Sequence, residues 1–182
     1  DMLLSVDSDV VMVRPYDPSG MWTDGSMCMY RVDAGVSQQM TEHRQWFAHA
    51  GKLLGVPAAV TPSPDYINTF IGWRTDTARA MLDHIEKVSG RNWIRALIAS
   101  RAISECTIYG RFVDEVLVGE GHTHSDQALC HVLWDREAHP ETLEGLEAFM
   151  QDLKPGQVAV GIQSFVNHSI SDIRRLAFSV TT

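Results

Sequence analysis

A run of apolar residues that halts at two aspartates and resumes at once limits how this chain can fold more than any other feature. It reads Leu3-Leu4-Ser5-Val6-Asp7-Ser8-Asp9-Val10-Val11-Met12-Val13-Arg14-Pro15. Residues 3–6 and 10–13 are apolar and too short for helices, so each reads as a strand. Two carboxylates between such strands are expected at a sheet edge. There, a pair of hard oxygen ligands suits Mg²⁺ or Mn²⁺ bridging to a phosphate.

The chain has 182 residues, which the length prior reads as a single domain, 1–182, or part of a larger one. It opens inside an apparent strand, six residues before the carboxylates. Parallel strands that end in such residues have earlier strands beside them, so an N-terminally truncated fold is expected, with any targeting signal lost too. Hydrophobic residues make up 45% and charged residues 21%, the balance of a soluble domain with a core. No run approaches the ~18 apolar residues of a membrane span, and no signal peptide is visible. The net charge of −8 excludes a phosphate-backbone binder, so no nucleic-acid partner is expected. A nucleotide ligand stays open, because a cation can neutralise a diphosphate. Cys28, Cys106 and Cys130 are widely spaced without a CxxC pair. They read as buried free thiols, which fits a reducing, cytoplasmic setting.

Strands mixed with helices along the chain predict an α/β fold. Residues 26–32 alternate as a strand. The spacing of Trp46, Phe47, Ala50, Leu53 and Leu54 predicts a helix over 38–54, closed by Gly55 and Pro57. Residues 60–65 read as a loop and 66–73 as extended. Ala78, Met81, Leu82, Ile85 and Val88 form the stripe of a second helix, capped by Thr75 or Asp76 and stopped by Gly90. Residues 93–98 form a short helix, and Ser104 caps another in which Ile108, Phe112, Val113 and Val116 face inward. Residues 119–122 read as a loop, 128–134 as a strand, 140–153 as a helix with proline in its first turn, and 158–163 as a strand. Ser169 or Ser171 starts the last helix.

Three constellations can carry chemistry. For Asp7 and Asp9 the plain alternative is a turn or cap, and two enzyme patterns share the local sequence. Haloacid-dehalogenase-like phosphatases use Asp-x-Asp after a strand, with the first aspartate, here Asp7, as nucleophile. That pattern also needs a later lysine before a paired-acid motif, and none of Lys52, Lys87 and Lys154 precedes one. Transferases of the GT-A type use Asp-x-Asp to hold a metal on a nucleotide-sugar diphosphate. Glu105, in the first turn after the Ser104 cap, is stabilised there by the helix dipole and would suit a general base toward an acceptor hydroxyl. Tyr109 lies one turn on, lining the same cleft or packed in the core. Among the eight histidines, His122 and His124 read as loop residues without a zinc signature. His168 follows a strand end, where it either reaches the metal or begins a helix. His43 and Trp46 share a helical face.

These stretches together resemble a bacterial family of largely unknown function that is classed as glycosyltransferase-like, with a GT-A fold. The likeness rests on Val6-Asp7-Ser8-Asp9 with Arg14-Pro15, His43-x-x-Trp46 running on to Leu53-Leu54-Gly55, Gly72-Trp73-Arg74, Trp93, Ser104-Glu105 with Tyr109-Gly110, and Gln163-Ser164. It implies a Rossmann-related mixed sheet flanked by helices whose first, nucleoside-binding strands are missing. It also implies metal-dependent transfer of a sugar, hexosyl or related, from a nucleotide donor to a glycan or small-molecule acceptor. Asp7 and Asp9 would hold Mn²⁺ or Mg²⁺, with Asp9 the first choice as direct ligand and His168 the C-terminal histidine. Trp73, Arg74, Tyr109, Gln163 and Ser164 would contact substrate, and Glu105 would be the base of an inverting enzyme. The competing readings are the phosphatase and a non-catalytic binding remnant of the fold.

Overall fold

A computed structural model of the chain describes residues 1–57, 62–134, 141–164 and 166–179. Among them the fold is mixed α/β, with six α-helices and ten short strands in four small sheets. Strands β1 (Met2–Val6) and β2 (Val10–Met12) flank the aspartates. A 3-10 turn at Pro18–Met21 leads to β3 (Trp22–Thr23), β4 (Ser26–Tyr30) and β5 (Val32–Val36). Helix α1 (Thr41–Leu54) follows, then β6 (Ser63–Asp65), β7 (Phe70–Arg74), α2 (Thr75–Ser89) and α3 (Trp93–Leu97). Helix α4 (Glu105–Arg111) runs on into a π-helical turn at Phe112–Val116. Then come β8 (His122–Ser125), β9 (Cys130–Leu133), α5 (Leu143–Gln151), β10 (Ala159–Ile162) and α6 (Ile170–Ser179). No helix among the described residues is long and apolar enough to cross a membrane.

The contacts divide the chain into two compact units. The first comprises Asp1–Leu3, Gly20–Asn68 and Gly72–Asp126; the second Leu4–Ser19, Thr69–Ile71 and Gln127–Thr182. In the first, β4 pairs antiparallel with β3 and parallel with β8, and β5 pairs antiparallel with β6 across a bulge. Helix α1 packs on α2 and α4, burying Phe47, Leu54, Ile85, Ile108, Phe112 and Val113. In the second, β10 lies between β2, antiparallel, and β9, parallel. Every residue of β10 is buried, as expected of a strand covered on both faces. One core cluster joins Val13, Leu133 and Val160 to Leu146, Phe149 and Met150 of α5 and Ala177 of α6. Another gathers Phe70, Cys130, Val158 and Ala159, with Val10 and Tyr16 packed on it.

Several expectations hold and several need correction. Gly55 and Gly90 close α1 and α2 in the left-handed conformation, which lacks a Cβ penalty only for glycine. Ser104 caps α4, accepting from the Thr107 N–H. Cys28, Cys106 and Cys130 are free thiols, though Cys28 is only half-buried. The expected strand over 26–32 breaks at Arg31 into β4 and β5. His122 and His124 are in a strand, β8, rather than a loop, because β4 offers a parallel edge that local sequence cannot reveal. Residues 63–65 of the expected loop pair with β5 for the same reason. Thr75 and Asp76 do not cap α2; its N-cap is Arg74, which has no side-chain cap bond. The buried stripe of that helix runs Thr77, Met81, Ile85, and Val88 is exposed. The starts of the 60–65 loop and the 140–153 helix lie outside the described residues.

Candidate functional site

In the first unit, Trp73, Arg74 and Tyr109 come together. The end of β7 sets Trp73 flat against the Tyr109 ring of α4, with centroids 5.2 Å apart and planes 14° apart. The Arg74 N–H donates to the Tyr109 hydroxyl at 2.9 Å, and that hydroxyl lies 2.9 Å from His122 Nε2. His122 Nδ1 is 2.9 Å from the Glu120 carbonyl. A carbonyl only accepts, so Nδ1 carries the proton, and burial lowers the imidazole's pKa and keeps it neutral. Nε2 is therefore the acceptor, and Tyr109 donates to it. Burial pushes the Tyr109 phenol up to about 12. Tyr109 is only 1% exposed, and its ring and hydroxyl hold Trp73 and Arg74 in place. Gly110 is needed beside it, since a Cβ there would run into the Tyr66 ring.

Arg74 forks onto Asp76, with Nε to Oδ1 at 3.0 Å and Nη2 to Oδ2 at 2.5 Å, and its Nη1 donates to the Gly121 carbonyl at 3.3 Å. The pair forms one wall of an open hollow of about 450 Å³, with Glu120, Thr77 and Ala80 on the others. The guanidinium holds the Asp76 carboxyl well below the usual carboxylate range. Glu105 is exposed in the first turn of α4.

Two polar centres of this unit have no local sequence signature. The π-helical turn presents Asp114, whose Oδ2 accepts from Arg31 Nε at 2.8 Å and the Tyr66 hydroxyl at 2.7 Å. His124 Nε2 stands 3.0 Å from its Oδ1. Burial and the adjacent Asp114 carboxylate raise the Tyr66 phenol's pKa. Arg31, Asp33, His124 and Asp126 line a second hollow of about 460 Å³. Arg111, 1% exposed, donates to the Phe47 and Pro57 carbonyls at 2.6 and 2.9 Å and pairs with Glu115.

Asp7, Asp9, Gln163, Ser164 and His168 belong to the second unit. The Asp7 N–H donates to the Thr69 carbonyl at 3.0 Å, and the Val10 N–H to the Asp7 carbonyl at 3.2 Å, so Ser8 and Asp9 are the middle of a turn. The Ile162 N–H donates to the Asp9 carbonyl at 3.2 Å. This bond fixes the turn at the C-terminal end of β10, where Gln163 and Ser164 leave the sheet. Asp7 is exposed and Asp9 half-buried. Both carboxylates act on the buried Cys130 thiol, which burial pushes up to about 11. His168 Nε2 is buried and meets no hydrogen-bond partner among the described residues. No three His, Cys, Asp or Glu side chains among those residues stand together as a ready-made metal cage.

The sequence profile of a family of unknown function, DUF6492, matches residues 1–175. The chain belongs to that family. Comparison with curated proteins and with solved structures gives no match. In this DUF6492 chain the Asp-x-Asp turn carries two carboxylates, and in the first unit Trp73 stacks on Tyr109 next to the Arg74–Asp76 pair. The distinctive Tyr109-Gly110 pair of the DUF6492 sequence is an element of packing, tying α4 to β7 and β8.

Proposed function

We propose that the chain is a metal-dependent glycosyltransferase of GT-A-like fold, moving a sugar from a nucleotide-diphosphate donor to an acceptor hydroxyl. The observation that carries the reading is the Asp7-Ser8-Asp9 turn, anchored at the C-terminal end of a buried strand with Gln163 and Ser164 beside it. Ligands of open α/β sheets bind outside the carboxyl ends of strands. Two carboxylates suit Mn²⁺ or Mg²⁺, which take one or two such ligands and complete their shell with phosphate oxygens and water. A cation held there would offset charge on the leaving diphosphate. Asp7 and Asp9 would hold it, and His168, whose Nε2 is buried without a hydrogen-bond partner among the described residues, is the third ligand assigned to it. Trp73 and Arg74 offer a stacking face and a fixed cation to substrate. Glu105, exposed in the first turn of α4, is the carboxylate assigned to the acceptor proton.

Calorimetry of the chain with Mn²⁺, alone and with a nucleoside diphosphate, tests the reading. Asp9→Ala is expected to abolish metal-dependent nucleotide binding and leave the thermal midpoint in place. Unchanged Mn²⁺ affinity in that variant would remove the assignment. Glu105→Gln is expected to keep donor binding and lose transfer. Phosphate release from simple phosphoesters, dependent on Asp7, would favour the phosphatase instead.

A further inference from the structure

The chain carries 23 acidic and 15 basic residues, yet between Glu86 and Glu105 there is no acid at all. That stretch holds Lys87, Arg91, Arg95 and Arg101, giving four positive charges in eighteen residues of a molecule whose net charge is −8. None of the four forms an ion pair among the described residues. The same stretch exposes large apolar groups. Ile94 is 49% and Ile98 72% exposed; they are four apart and so lie on one face. Ala96 is the one buried residue of α3.

Local structure holds this surface rigid. Glu86 at the end of α2 accepts from the Trp93 N–H at 3.0 Å and from Asn92 Nδ2 at 2.8 Å, and Asn92 in turn caps α3. The acid that precedes the stretch is thus spent on the α2–α3 corner. Beside the isoleucines, Gly90, Arg91, Asn92 and Arg95 line an open hollow of about 440 Å³, whose lining is donor groups and positive charge.

We propose that α3 and its approach form a docking surface for an anionic phospholipid bilayer. Arg91 and Arg95 would take lipid phosphates in the hollow, Ile94 and Ile98 would enter the boundary of the acyl chains, and Trp93, half-buried, would sit at headgroup depth. The charge decides for this occupant: an acidic protein meets an anionic bilayer only where its field is locally reversed, and this segment reverses it. Exposed isoleucines beside arginines that form no ion pair among the described residues combine apolar insertion with basic attraction, the two terms that hold a peripheral surface on an anionic bilayer. None of these residues is among the groups assigned to sugar transfer, and vesicle binding requires neither metal nor nucleotide.

Co-sedimentation of the chain with vesicles of phosphatidylcholine, with and without phosphatidylglycerol, tests it. Binding is expected to the mixed vesicles only and to weaken as salt rises. Replacing Arg91, Arg95 and Arg101 by Gln is expected to lower partitioning on the order of a hundredfold. Ile94→Ser with Ile98→Ser is expected to lower it on the order of tenfold. Both sets of side chains are exposed, so circular dichroism and the thermal midpoint should not move. No binding to mixed vesicles at low salt, or equal binding by the triple arginine variant, overturns the proposal. So does capture of an acidic protein through this face by a chain that ignores vesicles.

Discussion

Arg111→Lys keeps a buried positive charge and loses the fork that spends it. The guanidinium reaches two carbonyls and both oxygens of Glu115 while lying 4.2 Å over the Phe47 ring. An ammonium on a straight stem cannot serve all of these directions. The lysine variant is expected to lose on the order of 2 kcal/mol of stability. Arg111→Ala, which leaves buried carbonyls without a donor, is expected to lose about 3–5 kcal/mol. Urea unfolding with an unchanged slope would measure both; equal midpoints for all three proteins would show that the arginine is dispensable. Tyr109 works in the same manner, since its value lies in what its hydroxyl and ring hold in place.

Helix α4 and the π-helical turn after it show how an element acts as a device. Ser104 sets the start: its hydroxyl, buried, accepts from the Thr107 N–H at 3.3 Å and from the Thr107 hydroxyl at 3.1 Å. From that fixed start, Tyr109 meets β7 and Arg111 meets α1. The wider turn at Phe112–Val116 then delivers Asp114 to Arg31, Tyr66 and His124. Such turns are rare and recur at functional positions. Ser104→Ala is expected to lower stability by about 1 kcal/mol, read as a drop in thermal midpoint, while Ser104→Thr keeps the acceptor and most of the stability. A midpoint unmoved by the alanine would mean that packing alone starts α4.

At the scale of the whole molecule, pH reports on imidazoles that the fold keeps neutral. Burial depresses the pKa of His122 and of His49, the latter helped by Lys52. Both have an ordinary value of 6.5. As pH falls below that value the unfolded chain gains protons that the fold refuses, so stability falls until pH passes the folded pKa. The thermal midpoint is expected to decline from pH 7 to pH 5, where most carboxylates are still ionised. His122→Gln should flatten that decline; an identical slope in the variant would show that His122 titrates alike in both states.

Local sequence determined the parts of this protein that depend on neighbours a turn or two away. The α1 stripe, Met81 and Ile85 of α2, the glycines that stop both helices, the Ser104 cap and the apolar runs around Asp7 and Asp9 all follow from periodicity and cap chemistry. What tertiary structure decided are the pairings between distant stretches. β8 is a strand because β4 lies beside it, and residues 63–65 are one because β5 does. Arg31, Tyr66, His124 and Asp114 share a centre across 83 residues between Arg31 and Asp114, with no spacing rule to announce it. The opening Asp-x-Asp was legible as a pair of carboxylates between two short strands. Its anchorage was not, because it depends on hydrogen bonds with distant residues, from the Asp7 N–H to the Thr69 carbonyl and from the Ile162 N–H to the Asp9 carbonyl. Helical and capping preferences are written in consecutive residues; a partner strand or a buried arginine's acceptor is supplied only when the chain returns.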